Sequence, residues 1–245
     1  MIDIVIPMAG HGSRFSKAGY QDPKPLIPIF GRPMIELVIE NLTPTLEHRF
    51  IFICQSEHLK NYPLRKLLEK KSPGCEIIEV DQVTQGAACT VLLAKKFIAN
   101  NNQLMIANCD QYIDVNIDAY LSVLDDLAVD GLVMTMIAND NRWSFVKLNK
   151  DNEIIHIAEK EVISHEATVG IYNFQRGVDF VAAAESMIQK NQRVNNEFYV
   201  APTYNQMIES GKKIKSFNIG ALDVAMHGLG TPEDLERYLA LRSPV

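Results

Sequence analysis

The sequence predicts an α/β protein in which a mixed, mostly parallel sheet is flanked by helices. Three observations carry this expectation. Short apolar runs alternate with stretches of helical spacing through the first half of the chain. The first apolar run passes into a glycine loop, Ala9-Gly10-His11-Gly12-Ser13-Arg14. The second half changes texture, with short strand-like runs separated by polar turns. At 245 residues, 47% of them hydrophobic and 22% charged, the chain suits one α/β domain of ordinary globular composition. A domain of this size buries roughly 70–75% of its unfolded surface, so it needs no disulfide staples.

The elements follow in order. Residues 3–7 are the first strand. A helix is expected from Pro33, a residue favoured at the first helical position, with Met34, Leu37, Val38, Leu42 and Leu46 at helical spacing. Residues 49–54 are the second strand, and residues 58–71 a helix ending in basic residues that suit its dipole. Pro73-Gly74 breaks the chain before a third strand at 75–80. A helix over 87–98, a fourth strand over 103–108, a helix over 116–127 and a fifth strand over 131–138 complete the first half. Strands are then expected at 143–148, 154–158 and 168–174, with Lys150-Asp151-Asn152 as a hairpin turn. Helices at 178–189 and about 199–210 precede a strand at 213–218. A last helix covers 232–241, with Thr231 as its N-cap. The two halves, about 1–135 and about 136–245, are expected to share one sheet.

Ligands of open α/β sheets bind beyond the carboxyl ends of the strands. The glycine loop follows the first strand, residues 82–86 the third, and Asp110 the fourth, so three motifs converge on one rim. Glycine permits close backbone approach and positive φ, and successive N–H groups in such a turn make an anion-binding concavity. Arg14 and Lys24 add cations, and the loop reads as a phosphate cradle. Pro23 and Pro25 fix their own φ, and Pro25 biases Lys24 toward an extended conformation. Asp110, at a strand end, suits Mg²⁺ held jointly with phosphate oxygens; a loop-capping role is its bland alternative. Asn108 and Cys109 read as packing residues. Gly86 and Ala87 would admit a flat nucleobase whose edge Gln82 or Gln85 could bond; close packing of a helix start is the alternative.

The formal net charge is −6, which argues against a nucleic-acid partner. An anionic substrate must then be held by local cations and a metal. Cys54, Cys75, Cys89 and Cys109 form no C-x-x-C pair and read as free thiols of a reducing cytoplasm. No apolar run approaches the ~20 residues of a membrane span, and the start lacks the basic region of a signal peptide. A cytoplasmic protein with no membrane partner is the expectation.

Taken together, the glycine loop with Pro23-Lys24-Pro25-Leu26, then Gln85-Gly86-Ala87, Asp110, Glu159-Lys160, Thr168-Val169-Gly170-Ile171-Tyr172, Asn196-Glu197-Phe198-Tyr199 and Gly230-Thr231-Pro232-Glu233-Asp234-Leu235 resemble the sugar-phosphate nucleotidyltransferase family. The similarity spans nearly the whole chain in order. It is greatest to short members associated with bacterial capsule and surface-polysaccharide synthesis. The resemblance implies a Rossmann-like nucleotide-binding sheet of GT-A-like type. It implies a reaction in which a nucleoside triphosphate and a sugar 1-phosphate give a nucleotide-sugar and pyrophosphate. It assigns Ala9, Gly10, Gly12 and Ser13 to the phosphates, Arg14 to the departing pyrophosphate, Lys24 to the α-phosphate and Asp110 to Mg²⁺. Glu159, Gly170 and Glu197 match positions that contact the sugar, and Lys160 a position near the acceptor phosphate; a strand-end charge pair and a helix cap are the bland alternatives for these. CTP is favoured as the triphosphate over UTP or dTTP, and a homodimer is among the expectations.

Three positions depart from the family pattern. Gly228 stands where a second metal carboxylate is common. Asp223 or another carboxylate replaces it, or Asp110 and phosphates suffice, or activity is altered. Glu161 replaces a frequent proline, and Ser144 a glycine that approaches the sugar. A phosphorylated non-sugar is therefore a further acceptor class. Two rival functions are a GT-A-type glycosyltransferase and a non-catalytic nucleotide sensor.

Overall fold

The computed structural model describes residues 1–125 and 129–242. In chain order the strands are β1 (Ile2–Met8), β2 (Pro28–Ile29), β3 (Arg32–Pro33), β4 (His48–Gln55), β5 (Glu76–Val80), β6 (Gln103–Ala107), β7 (Gln111–Ile113), β8 (Gly131–Ile137), β9 (Ser144–Leu148), β10 (Ile154–Glu159), β11 (Glu166–Phe174), β12 (Ile214–Ala221) and β13 (Met226–Gly228). Among the described residues, nine of them form one mixed sheet.

The centre of that sheet is parallel. β1 pairs with β4 on one side and β6 on the other, and β5 extends it beyond β4. β1 is apolar nearly throughout because both of its faces are covered. Ile4 and Ile6 pack toward Val38, Ile39 and Leu42 of the helix Met34–Leu42, whereas Val5 joins the opposite layer with Phe174, Phe180 and Tyr204. β11 then runs antiparallel to β6, which makes the sheet continuous from one half of the chain to the other. β8 lies antiparallel to β11, and β12 parallel to β8. The hairpin β9–β10 docks at Ala167 of β11.

Several helices are shorter than the sequence suggests. The expected helix over 58–71 is two, Ser56–Asn61 and Leu64–Lys71. Pro63, which lacks an N–H, forces Tyr62 to be extended between them. The helix over 87–98 is likewise Ala87–Leu92 and Lys95–Ile98. Pro33 is extended and stands just outside the helix it precedes. Leu46 is not part of that helix, because Thr43, before Pro44, ends it. The helix expected from about residue 199 is Thr203–Glu209. The helix over 116–127 is Ile117–Leu121, capped by the Asn116 side chain and continued by the tight turn Ser122–Asp125; its expected end lies outside the described residues. Thr231 caps the last helix, Pro232–Arg242, as expected, its Oγ1 accepting from the Asp234 N–H at 3.1 Å.

Candidate active site

The strand ends β1, β5 and β6 point the same way, so their loops share one rim. The loop after β1 turns at Gly12, whose φ of 60° opens the short helix Ser13–Lys17. Phe15, fully buried against a cluster with Ile27 and Met34, anchors that helix. A Cβ on Gly12 would lie 3.3 Å from the Lys24 Cβ, so the loop and the lysine segment are in contact. Lys24 is not extended, contrary to the sequence expectation. It opens a single 3-10 turn, Lys24–Leu26, closed by the Leu26 N–H donating to the Pro23 carbonyl at 2.8 Å. The bias that Pro25 exerts is outweighed by this hydrogen bond and by the buried ring of Pro25.

Lys24 Nζ lies 2.8 Å from Asp110 Oδ2, both side chains about one-fifth exposed. Burial disfavours the ammonium, but the adjacent carboxylate outweighs it and the net pKa is pushed up. Cys109 is buried beside the pair, and burial pushes its thiol up. Asp110 is supported from the far end of the sequence. Its carbonyl accepts from the Leu229 N–H at 2.8 Å, and a Cβ on Gly230 would stand 2.6 Å from Asp110 Oδ2. The small strand pair β7–β13 brings these segments together.

Beyond β5, Gly86 sits at φ 128°, and a Cβ there would meet the Phe198 backbone at 2.5 Å. The glycine is required by the chain's own segment 194–199, which crosses it. Phe198 N–H donates to the Gln85 carbonyl, and Ala88 N–H to the Phe198 carbonyl. The expectation that Gly86 opens a flat floor for a base is corrected to this extent. Residues 194–197 form a tight turn with Asn195 and Asn196 both at positive φ, bridged between Val194 and Glu197, where a helix cap was the bland alternative.

Two cavities result, and they share Ala87, Asn108 and Glu197. One, about 360 Å³, is lined by Ala9, Gly10, Lys24, Gln85 and Gly86. The other, about 410 Å³, is lined by Glu159, Lys160, Gly170, Glu197 and Arg14. The structure thus brings the cradle and the lysine to one cavity, with the four acceptor candidates next door; Asp110 lines neither and meets the first through Lys24. Arg14 faces the second cavity, although it was expected with the departing phosphates. Gln82 is exposed and lines neither cavity; Gly12 and Ser13 support the loop without lining it.

In the second cavity, Ser144 hydrogen-bonds the Glu159 carboxylate. Burial pushes the Glu159 pKa up, and Glu197 adds to this, against the Ser144 hydroxyl and Lys160. Lys160 has φ 58°, its ammonium bonded to the Tyr199 hydroxyl and 4.6 Å from that ring's centroid. The Tyr199 contact pushes its pKa up. Gly170, at φ 94°, bulges β11, and a Cβ there would overlap the Asn108 and Gln111 side chains.

Sequence reasoning missed Asn108, Arg142 and Tyr199. Asn108 is exposed and lines both cavities, so it is not a packing residue. Its place one residue beyond β6, two before Asp110, was the available signal. Arg142 lines the second cavity and is held 3.2 Å from Asp234 of the last helix. No local pattern announces that pairing.

Asp223 is not brought to Asp110. It pairs with Arg237 at 3.0 Å, and the β7–β13 register places Leu229 beside Asp110, with Asp223 beyond the opposite end of β13. The carboxylate beside Gly228 is Asp234, 3.4 Å from where a Cβ would stand. His227 is occupied by Asp114. Among the described residues no group of three or more His, Cys, Asp or Glu could hold a metal ion. Asp110 Oδ2 is held by Lys24 and closely approached by Gly230, so Asp110 would contribute at most one carboxylate to a divalent ion held otherwise by phosphate oxygens, the donor set of such an ion rather than of a protein cage.

A mixed sheet with a parallel centre, a glycine loop on its rim and two adjoining cavities beyond it define a Rossmann-like α/β protein. The sequence profile of nucleotidyl transferases matches residues 4–233, and the chain belongs to that family. It is similar to the bifunctional protein GlmU of Methanococcus maripaludis strain C7, 26% identical over 219 residues covering 86% of this chain and 48% of the relative. The chain thus spans about half the length of the curated relatives it matches. Among solved structures it resembles the nucleoside-diphosphate-sugar pyrophosphorylase from Vibrio cholerae RC9, at 26% identity and TM-score 0.84 over 97% of this chain and 99% of that one. The inositol-1-phosphate CTP transferase from T. maritima shares the fold, at 15% identity and TM-score 0.72 over 99% and 97% of the two chains. No helix among the described residues is long and apolar enough to cross a membrane.

Proposed function

We propose that the protein transfers a nucleotidyl group from a pyrimidine nucleoside triphosphate to a sugar 1-phosphate or a similar phosphorylated acceptor, releasing pyrophosphate. The product is a precursor for capsule or surface polysaccharide, and CTP is the first triphosphate to test. The observation that carries this reading is the junction of the two cavities, with Lys24 on the nucleotide side and Lys160 and two carboxylates on the other.

Catalysis is then positioning and charge neutralisation. The backbone from Ala9 to Ser13 approaches the triphosphate. Lys24, already charged, reaches the α-phosphate, and Asp110 with phosphate oxygens would hold a divalent metal. Bound Mg²⁺ supplies charge neutralisation at the reacting oxygens. Arg14 serves phosphate charge from the acceptor side of the junction. Glu159 and Glu197 accept hydrogen bonds from acceptor hydroxyls, and Lys160 neutralises the acceptor phosphate. The acceptor oxygen attacks the α-phosphorus and the bond to pyrophosphate breaks.

The test is pyrophosphate release with Mg²⁺ and each of CTP, UTP and dTTP against a panel of phosphorylated acceptors. One pair should turn over. Asp110→Ala and Lys24→Ala should each lower that turnover by about 100-fold or more while folding normally by circular dichroism. Release of a nucleoside diphosphate when a nucleotide-sugar and an acceptor are offered in place of the triphosphate would make the protein a glycosyltransferase, and near-normal rates in both variants would reject the assigned roles.

A further inference from the structure

Arg193 is clamped. Its Nε donates to Asn191 Oδ1 at 2.7 Å, its Nη1 to the Asn196 carbonyl at 3.3 Å, and its guanidinium lies 4.2 Å from the Phe198 ring centroid. The remaining Nη2 donates to Gln85 Oε1 at 2.6 Å. A guanidinium has donors and no acceptor. The Gln85 atom facing it must therefore be the amide oxygen, whichever way an isolated glutamine would turn. The amide nitrogen, a donor, is left for the cavity that Gln85 lines.

The backbone under Gln85 is equally fixed. Its carbonyl accepts from Phe198, and the neighbouring Thr84 hydroxyl bonds the Gly86 carbonyl and the Thr90 hydroxyl. Val83, about half-exposed, and Ala87 give the same cavity apolar surface. Lys24 and Gly10 share this lining with Val83 and Gln85; with the first two serving phosphates on the proposed reading, Val83 and Gln85 are left for the base.

We propose that Arg193 is a positioning residue that sets the polarity of Gln85, so that the site reads a carbonyl oxygen at the pyrimidine 4-position through the Gln85 amide nitrogen. This rests on the nucleotide reading of the first cavity. A free glutamine serves a carbonyl or an amino group equally well, because its amide can turn over. A glutamine with its oxygen already engaged serves only the carbonyl. Other contacts set the absolute preference between cytosine and uracil nucleotides; Arg193 with Gln85 contributes a term favouring uracil.

The experiment is equilibrium binding of CTP and UTP with Mg²⁺, measured as a ratio, in the wild type, Arg193→Ala, Arg193→Lys, Gln85→Glu, Gln85→Ala and the Arg193→Ala/Gln85→Ala double variant. Gln85→Glu presents an acceptor in place of the donor and should move the ratio toward CTP by about tenfold, the scale of one hydrogen bond gained or lost. Arg193→Ala should move it the same way by a few-fold, and Arg193→Lys, which still donates, should restore it. In the Gln85→Ala background, Arg193→Ala should leave the ratio unchanged. A ratio constant in all variants, even with both affinities weakened, would reduce Arg193 to a structural clamp and overturn the proposal, as would a wild type that binds neither nucleotide. Pyrophosphate release, followed in parallel, separates the two readings: a shifting ratio without turnover on any acceptor keeps this inference and removes the transferase.

Discussion

A carboxylate pushed upward by burial is costly to keep charged, and Glu159 is in that position beneath Ser144. An unfolded glutamate titrates near 4.3. The folded state therefore holds the Glu159 proton to higher pH, and stability falls as pH rises through the interval between the two values. Above that interval the penalty is constant. Glu159→Gln, which keeps an acceptor for Ser144 without charge, should melt higher than the wild type at neutral pH, with the gap closing on acidification toward pH 4. Thermal melts of the two proteins across that range would show it; a gap that is flat or widens in acid is the contrary result. The Lys24 pKa is raised as well, but there burial is outweighed by the carboxylate partner the lysine has gained, so the charged form is the favoured one. Its contribution is complete below the ordinary lysine value and is lost only at still higher pH, so it leaves the neutral range untouched.

At the scale of elements, the sequence discloses strands better than helices. β1, β4 and β6 are apolar runs that only a covered sheet can bury, and they were readable. The helix ends were not, because Pro63 and Pro202 act where a smooth apolar period hides them. The two-stranded pieces β7–β13 were invisible, since a three-residue strand pairing across more than a hundred residues has no local signature. The site was legible in the same unequal way. Gly10 and Asp110 stand just beyond predictable strand ends and Lys24 is marked by its flanking prolines, whereas Tyr199 and Arg142 reach the site by long-range packing. Gly86 lines the first cavity, and it is also required by the chain's own crossing segment, which no local pattern announces. Gly86→Ala would set a methyl 2.5 Å from the Phe198 backbone at a φ hostile to side chains. It should cost about 2–4 kcal/mol by chemical denaturation and weaken nucleotide binding, because segment 194–199 can no longer close on the turn. Unchanged stability would mean that the crossing segment yields freely.

At the scale of the molecule, the last helix ties the two cavities together. Asp234, nearly buried, holds Arg142 of the second cavity, and the same stretch of chain carries Leu229 and Gly230 against Asp110, the ion-pair partner of Lys24 in the first. Asp234→Ala should lower stability by about 1–3 kcal/mol and raise the acceptor KM several-fold, with nucleotide affinity unchanged. Denaturation and steady-state kinetics measure the two effects; loss of nucleotide affinity instead would show that the helix serves mainly the Asp110 side.

The backing of Asp110 by Leu229 and Gly230 also has a temporal side. The ribosome delivers the glycine loop first and the backbone prop for Asp110 more than two hundred residues later. Partly synthesised chains can lay down the parallel strands, yet they lack the backbone contact that holds Asp110 in place.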